Sequence, residues 1–335
     1  MADKRVAVEE LRALAERALS SCGVPPAHAR LQADLLLAAE LRGQPSHGLQ
    51  RLPLLMARLR SGLADGGTTG AHVWTRAGYL SVDGQQGLGP VVMLAAMDDL
   101  ETAARQLGVA IAGIRHANHI GMLAYYAEDA VRRGLIGLVM STSEALVHPF
   151  GGTEPLLGTN PMAIGIPTGA APFILDFATS TVSMGKIRNY GLTGRDIPSD
   201  WAVDASGRPT TEPAEATAIA PFGGAKGYGL GLGIELLVAA LAGTVFAPDA
   251  RGTLDAEHPA SKGDLLILID PAARDGMAPD LSAYLDHLRR SRPADADRPV
   301  AVPGDGARRR SDAARSEGID LPAGLLAELR ALVAD

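Results

Sequence analysis

PFGGAKGYGLGLGIELL, residues 221–237, runs a cluster of glycines straight into an apolar helical segment. Glycine-rich turns let a backbone approach a ligand closely and present N–H groups to phosphate, and a helix N-terminus attracts an anion. Two widespread nucleotide folds announce themselves by such a stretch, and both fail here. Gly229, Gly231 and Gly233 form G-x-G-x-G instead of G-x-G-x-x-G, no strand plainly precedes them, and G-x-x-x-x-G-K-[ST] does not occur. The segment is neither an ordinary Rossmann turn nor a P-loop. By themselves the glycines also fit tight turns and close helix packing.

Outward from this stretch, short β-like runs alternate with helix-like ones from Val73 to about Ile269. YLSVDG, GVAIAGI, LIGLVMST, MAIGIP, PFILDFAT and DLLILID read as strands; PVVMLAAMDDLETAARQL, GMLAYYAEDAVRRG and GLGLGIELLVAALAG read as helices. This is an α/β region, assigned to residues 73–276. Before it, residues 1–72 read as a helical lobe. Val8, Leu11, Ala15, Ala18 and Leu19 repeat at helical spacing; Pro25 and Pro26 suit the start of a second helix, ending near Gly43; Leu49 to Leu59 suggest a third, closed by Gly62. After it, residues 277–335 read as helical and are expected to pack on the N-terminal lobe. Residues 204–227 and 247–263 read as loops.

Composition narrows the function. With 335 residues, 47% of them hydrophobic, the chain can bury a large core, and at 4% aromatics that core must be mostly Ala, Leu, Val and Ile. A net charge of −7 argues against broad nucleic-acid binding. The lone Cys22 cannot form an internal disulfide, which fits a reducing compartment. The first residues carry charges where a signal peptide needs an apolar run, and GYGLGLGIELLVAALAG reads as too short for a bilayer span and carries Glu235. A cytoplasmic protein without a membrane segment is expected.

Two polar knots carry candidate chemistry. In RGQPSHGLQRLP, residues 42–53, a helix beginning near Ser46 would put His47 and Arg51 on one face at i and i+4. An imidazole donates protons near neutral pH, and a guanidinium forks onto a carboxylate. An exposed polar helix face is the bland alternative. In GIRHANHIGMLAYYAEDAVRRG, residues 113–134, His119 falls between a strand end and a helix N-terminus, where α/β proteins place ligands and where the helix dipole disfavours a charged imidazole. A hydrogen-bonded structural histidine is the alternative there. His116-x-x-His119 offers metal spacing, but no matching Cys, Asp or Glu set accompanies it, and no metal is expected.

SHGLQR, NHIG, GTNP, LDFATS followed by GKI, and PFGGAKGYGL occur in this order, with PGDGARRR…GIDL beyond. As a set they closely resemble the malate/L-lactate dehydrogenase family, over about residues 8–333. The resemblance implies a mixed-sheet NAD(P)-binding domain unrelated to Rossmann domains, flanked by a helical lobe from both chain ends. It implies a homodimer and hydride transfer between nicotinamide and the α-carbon of a small 2-oxo or 2-hydroxy acid, or reduction of a cyclic imino acid such as piperideine-2-carboxylate. It leaves NAD against NADP open. By the same resemblance His47 and His119 are candidate acid/base groups and Arg51 grips the substrate carboxylate beside Ser46 and Gly48. Thr159, Asn160 and Pro161, then Asp176, Ala178, Thr179 and Ser180, with Lys186, would line the cofactor, and Gly223, Gly224, Lys226 and Gly227 would form its glycine-rich turn. Pro45 replaces a frequent acid, Leu55 a frequent tyrosine, and STSEA lacks a frequent asparagine. A metal-dependent hydrolase and a non-catalytic nucleotide-binding homologue are the rival readings.

Overall fold

The computed structural model describes residues 4–274 and 276–333. The chain opens with β1 (Lys4–Val6), α1 (Val8–Ser21) and α2 (Pro26–Leu41), then two 3-10 turns (Pro45–His47 and Leu49–Arg51) and α3 (Leu52–Arg60). The third helix thus starts three residues later than its leucine spacing suggests, because Pro53 fits only a first turn.

Next come β2 (Ala71–Arg76), β3 (Tyr79–Asp83), α4 (Gly89–Leu107), β4 (Val109–Arg115), α5 (Ala124–Arg132), β5 (Ile136–Ser141), β6 (Met162–Ile166) and β7 (Phe173–Phe177). They are followed by α6 (Met184–Leu192), β8 (Ala202–Val203), β9 (Ala218–Ile219), α7 (Ala225–Ala242) and β10 (Gly263–Ile269). The chain ends in α8 (Met277–Arg289), α9 (Asp305–Glu317), β11 (Ile319–Leu321) and α10 (Ala323–Ala331).

The main sheet has seven strands in the order β2-β3-β4-β10-β5-β6-β7, and only β3 and β4 are parallel. A mixed, mostly antiparallel sheet with one βαβ crossover is not a doubly wound nucleotide fold. β10 comes last in sequence yet sits at the centre, antiparallel to β4 and β5. Its run GDLLILI does not alternate because both faces are covered. Leu266 and Leu268 join the core under α4 and α5, while Leu265 and Ile267 face α7 with Ile234 and Val238.

At 18 residues, α7 is long and apolar enough by length and composition to cross a bilayer, contrary to the sequence reading. It nevertheless lies along the sheet, with buried Glu235 accepting from Ala247 N at 2.7 Å and from Asn160 Nδ2 at 2.6 Å. Its outward side chains Leu230, Leu236 and Leu237 are exposed.

A second core gathers α1, α2 and α3 with β11 and α10. β1 pairs antiparallel with β11, so the two ends of the chain are stitched together. α8 has no buried side chain; its start meets the 168–171 turn through Gly169 N to Ala278 O, 2.9 Å. The short β1, β2 and β11 strands and α6 have no counterpart in the sequence reading, and residues 204–227, read as loop, contain β9 and the first turn of α7.

Leu266 is fully buried at the middle of the central strand. Leu266→Ala should destabilise by about 2–5 kcal/mol, read as a lowered urea midpoint with an unchanged slope.

Candidate active site

His47 and Arg51 do not share one helix. Gly48, with φ −96° and ψ −149°, breaks the segment into two 3-10 turns. A side chain at Gly48 would run into the Glu40 carboxylate, which accepts Leu49 N at 2.7 Å. The loop therefore wraps around the end of α2, and burial pushes the Glu40 carboxyl up to about 7. What brings Arg51 back to His47 is a side-chain bond: Arg51 Nε donates to Ser46 O at 2.9 Å, and Nη1 donates to Thr253 O at 3.2 Å. Among the described residues nothing accepts from Nη2, so the outer edge of the guanidinium remains available to a ligand.

His119 meets this loop from the β4–α5 connection. Its ring lies 5.6 Å from that of His47, centroid to centroid, tilted by 31°. His119 Nδ1 accepts from Gly121 N at 3.1 Å, which places the proton of the neutral ring on Nε2. His47 Nδ1 lies 3.0 Å from Ser46 Oγ, a hydroxyl that can donate or accept. Burial holds both imidazoles neutral. His47 is lowered to about 4, first by desolvation and then by the Arg51 charge; His119 is lowered well below its ordinary value by desolvation, then by Arg51, His47 and Lys262.

Arg51 and His119 line one pocket, together with Arg58, Asn118, Thr253 and a wall of leucines. Arg58 is buried and donates to Asn118 Oδ1 (2.7 Å), Asp255 O (2.7 Å), His258 O (3.0 Å) and Leu63 O (3.1 Å). It pins the 252–258 turn to α3. Glu144 secures the same turn, accepting from Thr253 N at 2.7 Å, Leu254 N at 3.2 Å and the Thr253 hydroxyl. Behind it, buried Lys262 pairs with Asp264, whose other oxygen accepts from Ser141 Oγ at 2.6 Å.

None of Arg58, Glu144, Thr253, Lys262 and Glu40 was singled out by sequence reasoning. Arg58 follows Arg51 by seven residues, two helical turns, a spacing that puts both on one face of a continuous helix and was the one local signal for it. Glu40, Glu144 and Thr253 have no local signal, since their partners lie 9 to 202 residues away, and Lys262 pairs with Asp264 only two residues on.

None of the expected cofactor residues lines this pocket. Gly223 and Gly224 have φ of +58° and +64°, and Gly224 precedes the first turn of α7, whose leading N–H groups have no intrahelical acceptor. Lys226 is exposed in that turn, and Gly227 packs on the Phe222 backbone. Ser180, bridged to Pro221, and Asn160 carry buried oxygens, Ser180 Oγ and Asn160 Oδ1, that have no hydrogen-bond partner among the described residues. Open N–H groups at a helix start beside orphaned buried oxygens suit a phosphate-bearing, hydrogen-bonding ligand such as a dinucleotide.

Other positions in that set are tied into the framework. Asn160 Nδ2 binds Gly231 O and Glu235; Thr159 O accepts from Thr179 N and Oγ1; Pro161 O accepts from Ser141 N. Asp176 caps α5 by accepting Ala124 N at 2.9 Å, and burial raises it to about 6. Ala178 is half-buried between Asp176 and Thr179. Lys186 is exposed, its Nζ 4.7 Å above the Trp201 ring, at the start of α6, whose Gly185 adjoins Ser46. His116 turns to Asp83, Nδ1 to Oδ1 at 3.1 Å, and does not join His119. Among the described residues no three His, Cys, Asp or Glu side chains gather as a metal site needs.

Comparison with known proteins places these features in a wider set. The family model for malate/L-lactate dehydrogenase matches residues 6–330. The (2R)-3-sulfolactate dehydrogenase (NADP(+)) of Chromohalobacter salexigens is 36% identical, covering 98% of both chains. The Delta(1)-pyrroline-2-carboxylate reductase of Ancylobacter novellus is 35% identical, covering 98% of this chain and 97% of that protein. The crystal structure of a dehydrogenase from Sinorhizobium meliloti superposes with a TM-score of 0.96 at 63% identity, covering 99% of this chain and 98% of that one.

The depressed imidazoles have a thermodynamic consequence. Their folded pKa lies below the unfolded value, so as pH falls below about 6.5 the unfolded chain takes up protons that the folded chain refuses. Stability contributed by a neutral His47 is therefore present above pH 6.5 and lost as pH falls toward about 4. NMR titration should show the His47 ring unprotonated at pH 6; a midpoint near 6.5 would mean a solvated ring.

Proposed function

This chain belongs to the malate/L-lactate dehydrogenase family, and from that premise we propose that it transfers hydride between NAD or NADP and the α-carbon of a small 2-oxo or 2-hydroxy acid. The observation that carries the proposal is the meeting of Arg51, with one guanidinium edge unused among the described residues, and neutral His119 at one pocket, with the neutral His47 ring 5.6 Å from that of His119.

The bound nicotinamide supplies the hydride, or accepts it in reverse. The α7 N-terminus with Gly223, Gly224 and Lys226 would hold the cofactor phosphates, with Ser180 and the 159–161 turn beside it. Arg51 binds the substrate carboxylate through its free edge, a charge-assisted pair in a desolvated site. That anion also cancels part of the positive field that keeps the histidines neutral, and so raises their pKa on binding.

The two rings then divide the work. His119 is locked as the Nε2–H tautomer by Gly121 N–H, so it orients the substrate oxygen by donating a hydrogen bond. His47 can carry a second proton, because Ser46 Oγ can rotate to accept from Nδ1–H. His47 Nε2 therefore gives up the proton as the 2-oxo oxygen gains charge, and takes it back in the oxidation.

A cyclic imino acid is the second reading, favoured by the similarity to a pyrroline-2-carboxylate reductase and by the leucine wall of the pocket. An iminium nitrogen arrives protonated, so His47 would be dispensable there. We further propose residues 1–72, 73–276 and 277–335 as the working units of a cytoplasmic homodimer. A second copy would cover the exposed leucines of α7 with neighbouring Val245 and Phe246; the lone Cys22 suits a reducing compartment.

Oxidation of NADH and NADPH with a panel of 2-oxo acids and cyclic imines tests the activity, and no turnover with any of them would reject it. Arg51→Ala should raise KM and lower kcat, reducing kcat/KM by on the order of 10²- to 10³-fold. His47→Gln should abolish the ionisation that limits kcat for 2-oxo acid reduction, whereas His119→Gln should lower kcat and leave that ionisation in place. The reverse pattern in the two pH profiles would exchange the roles.

A further inference from the structure

Arg51 and Arg58 are seven residues apart and line the same pocket, which invites a reading in which each holds one end of a doubly charged substrate. The hydrogen bonds speak against it. Four of the five Arg58 N–H groups are spent on neutral oxygens, Asn118 Oδ1, Asp255 O, His258 O and Leu63 O. Arg58 is a structural clamp on the 252–258 turn, and turning it toward a ligand would strip that turn of its anchor. Arg51 differs: its bonds to Ser46 O and Thr253 O leave its outer edge open.

The rest of the wall is apolar. Leu35 and Leu36 from α2 and Leu54 and Leu55 from α3 face the pocket, Leu35 and Leu36 with at most 3% of their surface exposed. Gln32 adds one uncharged amide. The volume, about 30 Å³, admits a small group. A second carboxylate or a sulfonate entering here would lose its water and meet leucine methyls in exchange; among the described residues it would find no second open guanidinium edge, only the single unspent N–H of the Arg58 clamp. An alkyl group or the methylenes of a small ring would gain by the same burial.

We propose that the substrate of this chain is a monoanion: a 2-oxo acid with a short aliphatic side chain, or the five-membered cyclic imine of the same character, and not a dicarboxylate or a sulfonated acid. The proposal rests on the reading of Arg51 as the carboxylate grip and adds that the leucine wall selects what lies beyond the reacting carbon.

The test compares kcat/KM, with NADH and with NADPH, for pyruvate, 2-oxobutyrate and Δ1-pyrroline-2-carboxylate against oxaloacetate and sulfopyruvate. The best uncharged side chain should exceed both dianions by on the order of 10²-fold or more. Leu55→Ala should shift the preference toward 2-oxohexanoate by about tenfold, since one methylene in an apolar pocket discriminates by roughly 10- to 200-fold. Oxaloacetate or sulfopyruvate matching or surpassing the uncharged acids would overturn this selectivity and leave the reductase reading standing. No turnover of any of the five compounds would overturn both. A Leu55→Ala profile unchanged in chain-length preference would remove Leu55 from the wall.

Discussion

Arg51 is held by two backbone carbonyls, Ser46 O and Thr253 O, and among the described residues no carboxylate touches it. Carbonyl dipoles orient a guanidinium without neutralising it, so its full charge persists inside a desolvated pocket. Desolvation first and then that charge depress both histidines, and an anion would meet the same charge. Glu144, a carboxylate whose charge acts on it, spends its oxygens on Thr253 and Leu254. The turn that carries Thr253 O is therefore fixed from two sides, by Glu144 and by the Arg58 clamp. A cation at the mouth of the site depends on this second cation and an anion being consumed behind it.

The sheet brings the two halves of the site together. β4 delivers His119 beyond its C-terminal end, and β10, running antiparallel beside it, brings Lys262 and the 252–258 turn to the same end. α7 covers the face of the sheet opposite to α4 and α5. Glu235 ties α7 to Asn160 and Ala247, which joins the helix to the β5–β6 connection and to the segment preceding β10. Residues that a motif comparison assigns to the cofactor thus also do framework work: Asn160 with its amide, Asp176 as the cap of α5, Thr159 with its carbonyl.

Strands with strong apolar runs and helices with clear periodicity were legible: β3 to β7, β10, α4, α5 and α7 appear where their residue types place them. The elements that escaped are short or conditional. β1 and β11 have three residues each and exist only because the chain ends meet. α6 is polar and glycine-bearing, and it is started by Ser183 Oγ accepting Lys186 N, a cap that says little without the fold around it. The pairing of His47 with Arg51 had the right partners and the wrong geometry. Gly48 breaks the helix that i, i+4 spacing assumes, and the side chain of Arg51 restores the proximity by folding back onto Ser46 O.

Sequence alone determined the α/β class, the exclusion of Rossmann and P-loop nucleotide motifs, the family, and the three basic side chains His47, Arg51 and His119 proposed for a carboxylate site, because each depends on residue order within a short window. Only tertiary structure decided which guanidinium is open and which is spent, which histidine nitrogen bears the proton, and that a leucine wall closes the pocket. The open and the spent guanidinium are set by partners 60 to 202 residues away, Asn118 for Arg58 and Thr253 for Arg51, while the His119 tautomer follows from the turn that folds Gly121 N–H back onto the ring. A hydrogen bond already satisfied at such a distance leaves no trace in the local sequence, and it is satisfaction, more than residue type, that separates a binding group from a strut.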